Sequence, residues 1–145
     1  MIDAADRANR TRGEPTDIVG RGRLLIVDDE EVFAGSLQRL LSSDHEVTVA
    51  TSGDAALDRL CAGEQFDAIV CDLVMPGTSG FELHTELRRI APELAERIIF
   101  LTGGVVSRRA QQFLESVANC WFEKPCNLQE LRAAVRRQIA RSRAM

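Results

Sequence analysis

No apolar run in this 145-residue chain approaches the roughly 20 residues needed to cross a bilayer. The opening segment, MIDAADRANRTRGEPTDIVG, lacks the apolar core of a secretory signal. The four cysteines, at 61, 71, 120 and 126, form neither a CxxC pair nor a zinc-finger spacing. They read as reduced structural thiols of a cytoplasmic protein, with Cys71 and Cys120 in buried strands. An excess of positive charge is also missing. A formal net charge of -4 argues against a protein whose main work is gripping nucleic-acid phosphates. Internal repeats and low-complexity tracts are absent as well, which excludes solenoids and leaves an ordinary globule.

What is present is one domain's worth of chain, long enough to bury a core without disulfide or metal staples. Residues 1–20 are polar, carry Gly13, Pro15 and Gly20, and read as a flexible leader or linker. Residues 21–142 read as the folded domain. Short apolar runs alternate there with helix-length amphipathic segments. Strands are expected over 23–27, 46–50, 67–71, 97–101 and 119–122, and helices over 30–43, 53–62, 80–90, 107–117 and 127–142. Ser52 or Asp54, and Asn127, stand where helix caps belong. Five βα repeats with near-continuously apolar strands imply an α/β fold: a doubly wound parallel sheet covered on both faces.

The chemistry gathers at strand ends. Asp28 and Asp29 follow LLIV, Asp72 follows FDAIVC, Thr102 follows RIIFL and Lys124 follows NCWFE. In an open α/β sheet the crevice outside the carboxyl ends of the strands is where ligands bind. Three carboxylates, a hydroxyl and an ammonium would meet there. Oxygen ligands favour Mg2+ or Mn2+, and a carboxylate beside such an ion can attack phosphorus. Each residue has a plainer reading. DDE alone serves equally well as an acidic helix start, Asp72 as a turn residue before Pro76, Gly77 and Gly80, Thr102 as a strand end, and Lys124-Pro125 as a loop. The series decides, because the intervals between Asp29, Asp72, Thr102 and Lys124 each hold one βα repeat or two. The small Gly103 after Thr102 leaves room for an approaching phosphodonor.

These residues, with the segment DLVMPG around Asp72, resemble the receiver domains of two-component response regulators, from about Arg23 to Ile139. The resemblance implies a five-stranded flavodoxin-like sheet in the order 2-1-3-4-5. It implies Asp72 as phosphoacceptor for a phosphoryl group from a histidine kinase or histidine phosphotransfer protein. It also implies Mg2+ held by Asp29, Asp72 and the Val74 carbonyl, with Asp28 acting through water. Thr102 and Lys124 would bind phosphoryl oxygens, Lys124 turned inward by a cis bond to Pro125. Trp121 occupies the family's switch-aromatic position; its other reading is a core residue of the fifth strand. The last two βα units would engage a downstream partner, and the protein would be a switch rather than a metabolic enzyme. FLTGG, FLE and EKP are similar to receivers carried by hybrid histidine kinases.

Two rival classes fit less well. A haloacid-dehalogenase-like phosphatase needs a second Asp two residues after the nucleophile, where this chain has Val74. A nucleotide-binding module needs a glycine-rich first turn, where this chain has VDDEE. His45 and His84 have no metal-ligating companions and read as surface residues. The last helix carries Arg132, Arg136, Arg137, Arg141 and Arg143 against Leu128, Leu131, Val135 and Ile139, an amphipathic helix with a solvated basic face.

Overall fold

A computed structural model describes residues 21–103 and 107–144. The leader expected over 1–20, and Gly104, lie outside the described residues. Five strands, β1 (Arg23–Val27), β2 (Glu46–Ala50), β3 (Ala68–Asp72), β4 (Ile98–Thr102) and β5 (Trp121–Glu123), form one sheet in the order β2-β1-β3-β4-β5. Every pairing is parallel. The helices are α1 (Glu31–Leu41), α2 (Gly53–Cys61), α3 (Gly80–Ile90), α4 (Pro92–Glu96), α5 (Arg108–Ser116) and α6 (Leu128–Ala144). This is the doubly wound architecture that the βα alternation implies, in the flavodoxin-like strand order that the resemblance implies.

Side chains alternate across a strand, and both faces of this sheet are covered, so the central strands are apolar throughout. Leu25, Val27, Ile69, Cys71, Ile98 and Phe100 pack with Leu83 and Leu87 of α3 and Leu114 of α5. Leu24, Ile26, Val70, Ile99 and Leu101 pack on the opposite face with Leu37 of α1 and Leu131, Val135 and Ile139 of α6. Helix starts follow local chemistry. Ser52, not Asp54, caps α2 by accepting from the Ala55 N–H. Ser79 and Glu82 form a reciprocal capping box on α3. The Asn127 side chain accepts from the Glu130 N–H at the start of α6.

The structure corrects several expectations. β3 and β4 run one residue later than the apolar runs suggest. Asp72 pairs with Leu101 and Thr102 with Glu123, so both polar residues belong to their strands. α4 is an unexpected single turn that starts at Pro92, whose missing N–H costs nothing at a helix N-terminus. His45 and His84 are buried rather than superficial. His45 Nδ1 accepts from the Gly22 N–H. His84 packs edge-on against Phe113 and tilted against Phe100, 5.3 and 5.9 Å between centroids, and hydrogen-bonds to Asn119. Burial lowers the pKa of both imidazoles.

Because β5 is short and lies at the sheet edge, Cys120 is only half-buried, and Trp121 is 45% exposed, which removes its reading as a core residue. All four cysteines carry free thiols. Leu128 is exposed, so the apolar stripe of α6 begins at Leu131. Part of the basic face is paired rather than solvated: Arg132 bonds Asp44 at 2.7 Å, Arg141 approaches Glu96 at 3.5 Å, and Arg143 donates to the Arg21 carbonyl at 2.6 Å. No helix among the described residues is long and apolar enough to cross a membrane.

Candidate functional site

The carboxyl ends of β1, β3, β4 and β5 deliver the pocket. The β1 ladder extends one step past Val27, where the Asp28 N–H donates to the Ala50 carbonyl at 3.1 Å. This fixes Asp28 over the sheet edge, 1% exposed, while Asp29 stays exposed. On β3, the Leu73 N–H donates to the Leu101 carbonyl and the Gly80 N–H to the Leu73 carbonyl, which closes the loop behind Asp72. Two glycines permit that closure. Gly77 adopts a φ of +75°, in the left-handed region. A Cβ on Gly80 would lie 2.8 Å from the Asp72 carbonyl oxygen and 2.9 Å from the Leu73 Cα. The Lys124 N–H donates to the Thr102 carbonyl at 2.7 Å, and the Lys124–Pro125 bond is cis.

Asp28, Asp29 and Asp72 each offer a carboxylate oxygen, and the three lie within 4.8 Å of one another. Lys124 joins them. Its Nζ stands 2.9 Å from Asp28 Oδ2, 2.8 Å from Glu30 Oε1 and 3.6 Å from Asp72 Oδ2, and 4.4 Å from the centre of the Phe33 ring. The Glu30 N–H donates to Asp28 Oδ1 at 2.9 Å, and the Val74 N–H donates to the Asp72 carboxylate. Thr102 is 2% exposed, and its Oγ1 has no hydrogen-bond partner among the described residues. A buried hydroxyl left unpaired is costly, so this one is available to an incoming acceptor oxygen. The cavity above these groups measures about 620 Å³ and is lined by Asp29, Glu30, Phe33, Asp72, Val74, Gly103, Lys124 and Pro125. A Cβ on Gly103 would meet nothing within 4 Å, which keeps that side open.

The charges act on one another. Burial pushes the Asp72 carboxyl up to about 6; the Lys124 ammonium opposes this, and the Asp28 carboxylate adds to it. The hydrogen bond from Lys124 holds Glu30 below its usual range. Burial would lower the Lys124 pKa, but its bonds to Glu30 and Asp28 outweigh that and raise it. Three carboxylates brought this close, one of them with its pKa raised by burial, form a group that could hold a cation. Its all-oxygen donor set fits a hard divalent ion such as Mg2+. Each candidate from the sequence, apart from Trp121, meets at this edge. Trp121 lies instead beside Gln111, Leu114 and Glu115 on the α5 side. Glu30 and Phe33 read in the sequence only as part of a helix start, because no local pattern ties them to Lys124.

Known proteins share this frame. The chain is 34% identical over 131 residues to the transcriptional regulatory protein TcrA of Mycobacterium tuberculosis, covering 90% of this chain and 51% of that protein. It is 35% identical over 121 residues to the response regulator MprA of Mycolicibacterium vanbaalenii, covering 83% of this chain and 51% of that one. The chain thus spans about half the length of these curated relatives. A response regulator receiver domain from Clostridium thermocellum superposes with a TM-score of 0.74 at 27% identity, covering 84% of this chain and 97% of that one. The family model of the response regulator receiver domain matches residues 24–136. The chain therefore belongs to the response regulator receiver domain family of two-component signalling.

Proposed function

We propose that residues 21–142 form a receiver that takes a phosphoryl group from a phosphohistidine onto Asp72, with a divalent ion, and that changes shape in response. The observation that supports this best is the meeting of Asp28, Asp29 and Asp72 within 4.8 Å beside the ammonium of Lys124. Mg2+, or Mn2+, would be held by Asp29, Asp72 and the Val74 carbonyl, with Asp28 contacting it through water. When bound, the ion neutralises the carboxylates and the charge on the transferring phosphoryl oxygens.

The chain's own residues account for the rest. An Asp72 carboxylate oxygen forms the bond to phosphorus while the P–N bond breaks and the imidazole leaves with its electron pair. Gly103 leaves the approach clear. Thr102 Oγ1, without a partner among the described residues, donates to a phosphoryl oxygen, and Lys124 pairs with another. Both groups are tied by one backbone hydrogen bond, Lys124 N–H to Thr102 carbonyl, so movement of one loop is felt by the other. That movement biases a two-state equilibrium read by a partner on the last two βα units, α5 and β5–α6, with Trp121 as the residue that changes burial. Attack of water on the acyl phosphate resets the switch.

The donor is a histidine kinase or a histidine phosphotransfer protein, and the setting is cytoplasmic, either free-standing or as part of a hybrid kinase. No nucleic acid contact and no membrane insertion are called for. Acetyl phosphate with Mg2+ tests the reading. One phosphoryl mass should appear on the wild-type chain, be lost in alkali, and be absent from Asp72→Asn. Full labelling of Asp72→Asn would refute it.

A further inference from the structure

Glu30 stands outside the carboxylate trio, yet it makes the shortest of the three contacts to Lys124. Its Oε1 lies 2.8 Å from Nζ, against 2.9 Å for Asp28 and 3.6 Å for Asp72. Glu30 occupies the N-cap position of α1, but its side chain makes no capping hydrogen bond. Its carboxylate is directed at Lys124 instead of at the helix. The two partners differ in setting: the Glu30 side chain is 63% exposed at the cavity rim, and the Lys124 side chain is 15% exposed. The Phe33 ring supports the ammonium from a third side, 4.4 Å away. An ammonium has three N–H donors, and here Asp28 and Glu30 hold it closest while Asp72 is the most distant partner.

A phosphoryl group on Asp72 must draw this same ammonium toward itself. We infer that Glu30 is a positioning residue: it tethers Lys124 at the rim and competes with a phosphoryl group on Asp72 for the ammonium. The inference rests on Asp72 being the phosphoacceptor. An exposed ion pair is weak, so the tether can be released by phosphorylation and still sets how readily Lys124 engages. Glu30 then tunes the poise of the switch without touching metal or phosphorus.

Because Lys124 is the only lysine, ¹³C-lysine labelling gives a single side-chain signal that reports its surroundings directly. In the metal-free protein, Glu30→Gln should shift and sharpen that signal as the side chain gains freedom. At saturating Mg2+, Glu30→Gln should bind beryllofluoride roughly two- to five-fold more tightly, the range expected for loss of an exposed pair. Removing a negative charge would by itself favour an anion, so the comparison is repeated with Lys124→Met. Competition for the ammonium predicts that the gain disappears there, whereas plain repulsion predicts that it persists. An unchanged lysine signal in Glu30→Gln, or an equal gain in the Lys124→Met background, would overturn the inference. Failure of the wild-type chain to bind beryllofluoride would instead contradict the phosphoacceptor reading, and the lysine signal would still decide whether Glu30 holds Lys124.

Discussion

Asp72→Asn should make the metal-free domain more stable, although it removes the group on which the function depends. The Asp72 side chain is 9% exposed, and burial with the Asp28 charge nearby lifts its pKa from 3.8 to about 6. A group with a higher pKa in the folded than in the unfolded chain contributes stability below the unfolded value. That contribution is lost as pH rises through the folded one. At pH 7 the ionised carboxylate therefore costs the fold about 3 kcal/mol. Asparagine keeps the shape, can still accept from the Val74 N–H, and leaves Lys124 its closer partners Asp28 and Glu30. The variant should gain up to about 3 kcal/mol at pH 7, or roughly 10 °C in Tm for a domain of this size. The gain should fade between pH 6 and 4 and vanish below pH 4. Denaturant melts with EDTA present, run across that range, measure it. A variant no more stable than wild type at pH 7, or one equally stabilised at pH 4, would refute the electrostatic reasoning. Saturating Mg2+ should narrow the difference, because binding stabilises the wild type more.

Asp29→Ala should abolish measurable Mg2+ binding in calorimetry, and Asp28→Ala should weaken it less, since its contact runs through water. Gly80→Ala should cost about 1–3 kcal/mol in a thermal melt and weaken Mg2+ binding together with it, because the new Cβ would press on the Asp72 carbonyl and the Leu73 Cα. Trp121 is the sole tryptophan and is 45% exposed, so its emission should report a wet indole; Mg2+ should alter it, and beryllofluoride should alter it again. Emission indifferent to both ligands, with their binding shown independently, would remove Trp121 from the switch.

Most of the framework was legible in the chain because burial on both faces leaves an unbroken apolar run for each central strand. β1 and β2 fall on 23–27 and 46–50 as those runs imply. The apolar runs leave Asp72 and Thr102 just past their strands, because hydrophobicity stops one residue before the hydrogen-bond ladder does. α4 was invisible to periodicity, since one turn is too short to show a helical repeat. His84 reads as a surface residue for a different reason. Its burial depends on Phe100 and Phe113, which come from β4 and α5 and surround it only in the folded state. Glu30 shows the same limit at the site: its place beside Lys124, 94 residues away, follows from tertiary geometry and not from any local pattern.

The most direct test is to locate the acyl phosphate itself. After phosphorylation by acetyl phosphate and Mg2+, borohydride reduction converts the modified aspartate to homoserine, and peptide mass spectrometry identifies the residue. The account predicts conversion at Asp72 alone, dependent on Mg2+. Conversion at Asp28 or Asp29, or labelling at Asp72 that is indifferent to EDTA, would contradict it.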